Sequence, residues 1–270
     1  MPELPEVETI RLQLQKFLVG RKILDIKILS AKSFVGDTKK ILDTRILDIR
    51  RFGKVTVIDL DNGYSLLIHL KLTGQLLIDG IIGPYTRVVI GFDTNLKLIF
   101  NDLRIFGWIR VVKSDQILSD KSVGKLGPEP FRDLTLDLFK KILAKTSRPI
   151  KIVLMDQEKI SGVGNIYAND ALWLARVNPR MPAKQLDSEA AKQLYNAILK
   201  VLKAGLKYRG ASDQHYLKPD GTKGEYQKHF LIYGRAGEPC LKPACRQAGV
   251  KIIRIAVGGR GTFYCPVCQK

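Results

Sequence analysis

The sequence predicts an α+β protein with more than one domain, and three features of the chain lead to this class. Its 270 residues exceed the roughly 100–200 residues of a typical domain. Short β-prone runs fill the segment 23–112, whereas the segment beyond it has helical apolar spacing. All four cysteines lie near the C-terminus. We therefore expect an N-terminal helix and an antiparallel β-sandwich, then a helical domain and a C-terminal Cys-rich hairpin.

The first helix and the strands follow from the period of the apolar residues. Helical spacing predicts one helix that ends before Gly20 and carries Val7, Ile10, Leu14, Phe17 and Leu18. Seven β-prone runs predict strands at 23–29, 46–50, 55–60, 64–70, 87–92, 96–100 and 108–112. Asp61-Asn62-Gly63 and Asp93-Thr94-Asn95 predict hairpin turns. Short strands joined by turns are typical of a β-sandwich or flattened barrel.

The second half of the chain begins after a predicted linker. Gly127, Pro128 and Pro130 place this linker at residues 125–134. The domain boundaries that follow are 1–124 for the β-sandwich, 135–239 for the helical domain and 240–270 for the Cys-rich segment. Helices are expected at 134–143, at 163–174 and from the cap Asp187 to about Leu206.

The charge balance indicates the class of partner. Lys and Arg total 45 against 26 Asp and Glu, which gives a net charge of +19. An excess this large favours a polyanion, and nucleic acid is preferred to an acidic membrane because no basic amphipathic anchor is present. No run approaches the roughly 18 apolar residues of a membrane helix, and the start is unlike a signal peptide. We expect a cytoplasmic protein.

The start of the chain offers an unusual nucleophile. Aminopeptidases remove an initiator methionine when the second residue is small, which would expose the secondary amine of Pro2. A terminal amine has a pKa of about 7.7–8.0, against about 10.4 for lysine, so more of it is neutral and able to form an imine. Glu3 could exchange a proton with the substrate, and Glu6, one helical turn further, could orient the amine or shuttle its proton. The alternative is that this Pro- and Glu-rich start is an ordinary helix N-terminus.

The cysteines form two closely spaced pairs. Cys265 and Cys268 bracket two residues, and Cys240 and Cys245 bracket four. Both spacings suit thiolates that clamp one tetrahedral zinc ion. Two disulfides are the alternative, but they need an oxidising compartment for which the chain carries no export signal. We therefore expect one structural Zn²⁺.

The segment between the two pairs predicts a hairpin stapled by this zinc. Residues 250–257 are β-prone, and Gly258-Gly259 provides a turn. Arg260 would lie near the tip of the hairpin, where it could reach a phosphate or a groove.

Three separated motifs in this order carry a family resemblance over nearly the whole chain. They are Pro-Glu-Leu-Pro-Glu-Val-Glu-Thr at residues 2–9, Gly-Val-Gly-Asn-Ile-Tyr-Ala-Asn at 162–169 and Gly-Thr-Phe-Tyr-Cys at 261–265. The sequence thereby resembles bacterial formamidopyrimidine-DNA glycosylase. The resemblance implies a monomeric base-excision repair enzyme that acts on double-stranded DNA with a damaged base. Such an enzyme removes 8-oxoguanine and formamidopyrimidines and then cuts the abasic strand by elimination.

The resemblance also implies roles for four residues of the first domain. Pro2 would attack C1′ of the damaged nucleotide and hold the opened sugar as an imine. Glu3 is similar to the family's proton donor to the sugar ring oxygen, and Glu6 to its proton-shuttling partner. Lys54 matches a lysine near the phosphates that flank the lesion, although a hairpin lysine is otherwise usually solvent-exposed.

Further DNA contacts are implied by the same resemblance. Asn165, at the start of the second helix of a helix–two-turn–helix, and Arg260 would join Lys54 in pinning the kinked strand. His69 matches a phosphate-side histidine, although a hydrogen-bonded strand histidine is an alternative. Residues 210–224 correspond to a loop that caps the lesion, in which Gln214 occupies the usual arginine position.

Three residues would fill the space that an extruded base leaves, and these are Leu72, Arg104 and Phe106. Without the resemblance, Leu72 and Phe106 would be assigned to the core. The chain departs from the family pattern nearby, because methionine is usual at Leu72, glycine at Lys71, proline at residue 103 and a basic residue at residue 105.

Two other functions remain open at this point. One is a related glycosylase with an endonuclease VIII-like preference for oxidised pyrimidines. The other is a zinc-containing protein that binds damaged DNA without cutting it. A lesion panel separates the first, and a test for a covalent intermediate separates the second.

Overall fold

The computed structural model describes residues 1–213 and 215–270, so that Gln214, predicted to stand at the capping-loop arginine position, lies outside the described residues. The chain forms two compact units, which are 1–125 with 205–227, and 126–204 with 228–270. The capping loop at 210–224 therefore belongs to the unit of the β-sandwich, which differs from its predicted assignment to the helical domain.

The first unit opens with helix α1 (Leu4–Leu18). Glu3 and Glu6 form a capping box, and Pro5 lies in the first turn, where its missing N–H costs no helical hydrogen bond. The predicted apolar face is buried, except that Phe17 is 37 % exposed. The helix ends before Gly20, as predicted, where a φ of +83° suits glycine.

The strands of the first unit are β1 (Ile23–Ile28), β2 (Phe34–Val35), β3 (Ile46–Phe52), β4 (Val55–Leu60), β5 (Tyr64–His69), β6 (Gly74–Ile78), β7 (Thr86–Phe92), β8 (Lys97–Asp102) and β9 (Trp108–Lys113). They form one sheet of order β1-β7-β8-β6 and another of order β2-β9-β5-β4-β3. Buried residues of both sheets and of α1 pack into one apolar cluster. The predicted sandwich and both predicted hairpin turns are confirmed.

The sequence does not predict strands β2 and β6. Strand β2 has only two residues, too few for a period to show. Strand β6 starts at Gly74, a residue that weakens strand propensity. A Cβ atom there would lie 2.5 Å from the Leu70 carbonyl oxygen, so the tight turn before β6 requires glycine.

The second unit contains the helices α2 (Leu136–Ala144), α3 (Ile150–Met155), α4 (Asn165–Leu174) and α6 (Pro243–Gln247), with most of α5 (Ser188–Lys207). Asp187 caps α5 as predicted, because its Oδ1 accepts from the backbone N–H groups of Glu189 and Ala190 at 2.9 and 2.8 Å. Strands β10 (Ile253–Val257) and β11 (Arg260–Tyr264) form the predicted C-terminal hairpin. None of the helices in the described part of the chain is long and apolar enough to cross a membrane.

Candidate active site

The residues predicted to act at the chain start are buried in the first unit. Pro2 is buried, Glu3 and Glu6 are each 2 % exposed, and Lys54 is 5 % exposed. The capping box explains this arrangement, because the Glu6 Oε2 accepts from the Glu3 backbone N–H at 2.8 Å. Lys54 differs from an ordinary hairpin lysine, since the turn between β3 and β4 points it inward rather than leaving it in solvent. One titratable cluster therefore lies at the N-terminus.

The charges of this cluster act on the amine that begins the chain. Burial lowers the pKa of the Met1 ammonium, Glu3 and Glu6 act in the opposite direction, and Lys54 lowers the pKa further. An amine at this place is therefore held closer to its neutral, nucleophilic form than a solvated terminus. Glu3 and Glu6 thus act electrostatically on this amine.

Glu8, the third acid of the opening motif, has a structural role. Its carboxylate pairs with Arg11 at 2.7 Å and with Arg51 at 2.9 Å. Burial alone would raise the pKa of Glu8, but the hydrogen bonds from both arginines hold it below its usual value. Glu8 thereby links α1 to strand β3. Glu3 and Glu6 are the acids that act on the amine.

His69 is the last residue of strand β5, and its imidazole is neutral. Burial lowers its pKa to about 3, and the positive charges of Lys71 and Lys54 act in the same direction. Its Nδ1 accepts from the Lys71 backbone N–H at 3.0 Å, which leaves the ring proton on Nε2. The imidazole therefore presents a neutral N–H donor at neutral pH.

Two loops carry the three residues that are predicted to fill the space left by an extruded base, Leu72, Arg104 and Phe106. Leu72 precedes β6, and Arg104 and Phe106 follow β8, the strand that pairs with β6. Phe106 is 53 % exposed, which excludes a core role for it. The Arg104 guanidinium lies 4.8 Å from the centre of the Phe106 ring. We call Leu72 and residues 103–106 the wedge.

The buried carboxylate of Asp102 holds the backbone of the wedge by hydrogen bonds. The sequence analysis did not single out this residue. This carboxylate is 1 % exposed and accepts from the backbone N–H of Arg104 at 3.2 Å and of Gly107 at 2.7 Å. It also accepts from the Thr73 hydroxyl, so one side chain joins both loops. The sequence signal for Asp102 was an acidic residue at the end of a β-prone run. Its role also depends on Thr73, which precedes the paired strand β6 and lies far away in the sequence.

Two residues in or next to the wedge have a positive φ. Lys71, where glycine is usual, has a φ of +49°, and Ile105 has a φ of +56°. Both values lie in the left-handed region, which glycine adopts readily and a β-branched residue adopts only under strain. This conformation costs a residue other than glycine about 1–2 kcal/mol.

In the second unit, two predicted DNA-contacting residues lie at the ends of regular elements. Asn165 begins α4 after Gly164, its extended N-cap. Arg260 is exposed at the tip of the β10–β11 hairpin, next to the turn at Gly258-Gly259. Lys151 supports this tip, because its ammonium donates to the Gly261 carbonyl at 2.8 Å and to the Thr262 hydroxyl at 2.6 Å. Sequence reasoning did not single out Lys151.

The four cysteines converge in the second unit. Their sulfur atoms all lie within 4.8 Å of one another, with Cys240 and Cys268 3.9 Å apart and Cys245 and Cys265 3.8 Å apart. A tetrahedral ion with metal–sulfur bonds of about 2.3 Å needs sulfur separations of about 3.8 Å, whereas a disulfide needs about 2.05 Å. The cysteines are free and have the geometry of a metal site.

Family models match both halves of the chain. The model of the formamidopyrimidine-DNA glycosylase N-terminal domain matches residues 1–109, and that of the formamidopyrimidine-DNA glycosylase H2TH domain matches residues 126–216. The chain belongs to the formamidopyrimidine-DNA glycosylase family. It is therefore a DNA glycosylase of base-excision repair, and the resemblance drawn from its three motifs is confirmed.

Relatives of this glycosylase match it over its full length. The formamidopyrimidine-DNA glycosylase of Herpetosiphon aurantiacus is 40% identical, with 100% of both chains covered. The Lactococcus lactis enzyme Fpg in complex with DNA containing an abasic site is 33% identical, with a TM-score of 0.90 and 99% of both chains covered. A complex of that enzyme with DNA containing an oxidised pyrimidine is 32% identical, with a TM-score of 0.90 and 100% of both chains covered.

Proposed function

We propose that this glycosylase is also an abasic-site lyase, which removes oxidised purines with Pro2 as its nucleophile. The supporting observation is that Glu3, Glu6 and Lys54 are buried together and act on the amine that begins the chain. Removal of Met1 would transfer this environment to the Pro2 secondary amine. The substrates are 8-oxoguanine and formamidopyrimidines in double-stranded DNA.

The proposed reaction begins with base release. The Pro2 nitrogen attacks C1′, and the base leaves with the electrons of the glycosidic bond. Glu3 protonates the sugar ring oxygen, so that the ring opens and an iminium joins the enzyme to C1′. Glu6 accepts the proton that the amine loses. The reaction thus needs a neutral amine and a proton donor in the same site.

Strand cleavage follows from the charge of the iminium. The iminium withdraws electrons and acidifies the C2′ proton. Loss of that proton expels the 3′ phosphate by β-elimination, and a second elimination expels the 5′ phosphate. Water finally hydrolyses the imine and returns the Pro2 amine.

We also propose that four hydrogen-bond donors hold the DNA backbone. Lys54 and the Nε2–H of His69 supply contacts from the first unit, and Asn165 and Arg260 supply contacts from the second. Affinity should fall with salt at a log–log slope of about −0.9 per neutralised phosphate. Arg260→Ala should therefore make this slope less negative by about one unit in binding titrations.

For the metal site, we propose one structural zinc held by Cys240, Cys245, Cys265 and Cys268. Support comes from the sulfur separations and from the Trp173 indole N–H, which donates to the Cys240 sulfur at 3.4 Å and suits a thiolate there. Metal analysis should find one zinc per chain. Cys245→Ser should lose it and unfold at lower temperature, and an unchanged zinc content would contradict the site.

The first experiment is borohydride trapping with a duplex that carries 8-oxoguanine opposite cytosine. Reduction converts the imine to a stable adduct, and peptide mass mapping should place it on residue 2 of a chain without Met1. An abasic duplex and an undamaged duplex are the controls. An adduct with the abasic duplex alone would keep the lyase and reject the proposed base, whereas no adduct with any duplex would reject the mechanism.

A preference for oxidised pyrimidines is the second candidate. The Lactococcus lactis enzyme forms a complex with DNA containing an oxidised pyrimidine, so an oxidised pyrimidine belongs in the same trapping panel. Faster trapping with that duplex than with 8-oxoguanine would favour this candidate. We further propose that the protein acts as a monomer in the bacterial cytoplasm, which sedimentation and cell fractionation would test.

A further inference from the structure

The two ends of the capping loop meet in a tightly packed foot, made of residues 208–211 and 224–226. The Glu225 N–H donates to the Tyr208 carbonyl and the Tyr226 N–H to the Gly210 carbonyl, each at 2.9 Å. A Cβ atom on Gly224 would lie only 2.3 Å from the Gly210 carbonyl oxygen. The outgoing and returning chains are therefore in direct backbone contact.

The foot is hydrogen-bonded to one of the acids next to the nucleophile. The Ala211 backbone N–H donates to the Glu6 Oε1 at 2.8 Å, while the Glu3 backbone N–H donates to the Oε2 of the same carboxylate at 2.8 Å. Both bonds are charge-assisted and lie in a site from which water is largely excluded. One side chain thus joins the capping loop to the backbone beside Pro2.

Gly210 makes this connection sterically possible. Its φ is +83°, and a Cβ atom there would lie 2.7 Å from the Glu6 Cγ and 2.9 Å from the Glu6 Oε1. The same atom would meet the Tyr216 ring at 2.9 Å, and the Tyr216 hydroxyl donates to the Arg209 carbonyl at 3.2 Å. Glu6 and the foot are therefore packed too closely for either to shift alone.

We propose that Gly210 is a positioning residue of the reaction, and that Glu6 couples the capping loop to the nucleophile. This inference rests on the proposed function, in which Glu6 handles the proton of the Pro2 amine. The Ala211 N–H fixes the Glu6 carboxylate, which in turn fixes the backbone at Glu3. The loop then affects imine formation itself, even on an abasic site where there is no base to cap.

A matched pair of glycine variants tests this coupling. Gly210→Ala and Gly20→Ala both place a methyl group at a φ of +83° in the same unit, but a Cβ on Gly20, which follows α1, meets nothing within 4 Å. We expect Gly210→Ala to slow single-turnover borohydride trapping on an abasic duplex by roughly 10- to 100-fold, since a misplacement of about 1 Å has effects of this size. Gly20→Ala should stay within about twofold of the native rate. The dissociation constant for the same duplex should stay within about threefold for both.

Equal trapping rates for the two variants at saturating enzyme would overturn the proposal. So would a Gly210→Ala defect that lies wholly in DNA affinity, because a positioning role acts on the rate of the bound complex. If the native chain itself forms no adduct, the proposed function has failed, which is a different result from native trapping with an unaffected Gly210→Ala.

Hydrogen exchange tests the connection in the other direction and does not need Gly210→Ala to fold. In the native chain the Ala211 amide should exchange slowly, since its acceptor is a buried carboxylate. Glu6→Ala removes that acceptor, and we expect exchange in the peptide that contains residue 211 to accelerate by about tenfold or more. A peptide from strand β4 serves as the internal control. Unchanged protection at residue 211 would show that Glu6 does not hold the foot and would overturn the proposal.

Discussion

The N-terminal cluster and the wedge belong to the same unit, yet their side chains have opposite exposure. Glu3 and Glu6 are each 2 % exposed and hydrogen-bonded, whereas Phe106 is 53 % and Ile105 38 % exposed. A group that transfers protons gains from burial, because a fixed and water-poor surrounding keeps it aligned. A group that enters a base stack must instead be open to the DNA, so its apolar surface stays in solvent until binding.

The two regions nevertheless share one feature, a buried carboxylate that joins two segments of the chain by hydrogen bonds. Glu6 accepts from one backbone N–H of the chain start and one of the foot of the capping loop. Asp102 accepts from two backbone N–H groups of the loop after β8 and from the Thr73 hydroxyl of the loop before β6. The exposed side chains are therefore carried by an ordered backbone. The difference between the regions lies in what the side chains contact and not in how firmly the backbone is held.

The largest expected effect is on the chemistry of the buried cluster. Glu3→Gln keeps a side-chain acceptor for the capping box but removes the transferable proton, so we expect single-turnover base excision to fall by about 10²–10⁴-fold. Glu189→Gln is the control, because Glu189 is an exposed acid in the other unit. Thermal stability should change little in both. Excision by Glu3→Gln within about threefold of the native rate would remove Glu3 from the mechanism.

Much of the first unit could be predicted from the sequence, because its strands are β-prone runs bounded by turn residues and its helix is amphipathic. Pro2, Glu3 and Glu6 stood out because a proline amine beside two acids is an unusual chemical combination. Lys54 was identified through the resemblance. Its burial was not predicted, because a lysine in a hairpin is usually exposed.

The supporting residues could not be predicted in the same way. Asp102 and Asp170 are both buried carboxylates with a partner in a distant segment. Asp170 accepts from the backbone N–H groups of residues 231–233, and Asp102 accepts from the Thr73 hydroxyl. Their hydrogen bonds form only when the chain has folded. Neither the spacing of apolar residues nor the residue type indicates which distant residue will be the partner. The connection between Gly210 and Glu6 is likewise a tertiary contact.

Removal of the Asp102 carboxylate is expected to weaken the wedge at its base. Asp102→Ala leaves the buried N–H groups of Arg104 and Gly107 without their acceptor, and an unsatisfied buried group costs about 1–3 kcal/mol. We expect the free energy of unfolding in urea to fall by about 3 kcal/mol, and proteolysis between residues 103 and 107 to accelerate. Asp102→Asn, which keeps one acceptor, should lose less. Native stability in Asp102→Ala would show that the wedge does not depend on this carboxylate.

A smaller effect should appear in the pH dependence of stability. Burial lowers the pKa of His69 to about 3, whereas an unfolded histidine titrates near 6.5. Below about pH 6.5 the unfolded state binds the extra proton, so His69 reduces the free energy of unfolding as the pH falls, by about 2 kcal/mol between pH 7 and pH 5. His69→Asn keeps an acceptor for the Lys71 N–H and should remove this loss. An unchanged pH slope in His69→Asn would show that His69 is protonated as readily in the folded state as in the unfolded one.

The smallest effect on stability is expected for Phe106 in the wedge, together with an effect on base excision that depends on the substrate. Phe106→Ala removes a ring that is 53 % exposed, so the free energy of unfolding should change by less than about 0.5 kcal/mol. Excision from a duplex should nevertheless slow by about tenfold, because base extrusion costs a few kcal/mol and the ring would no longer fill the vacated space. A lesion in single-stranded DNA, or opposite a mismatched base, should be affected less, because less stacking is lost there. Leu118→Ala, at another exposed apolar residue of the same unit, is the control. Equal slowing on duplex and single-stranded substrates would assign Phe106 to the chemistry and would remove the distinction between the exposed wedge and the buried cluster.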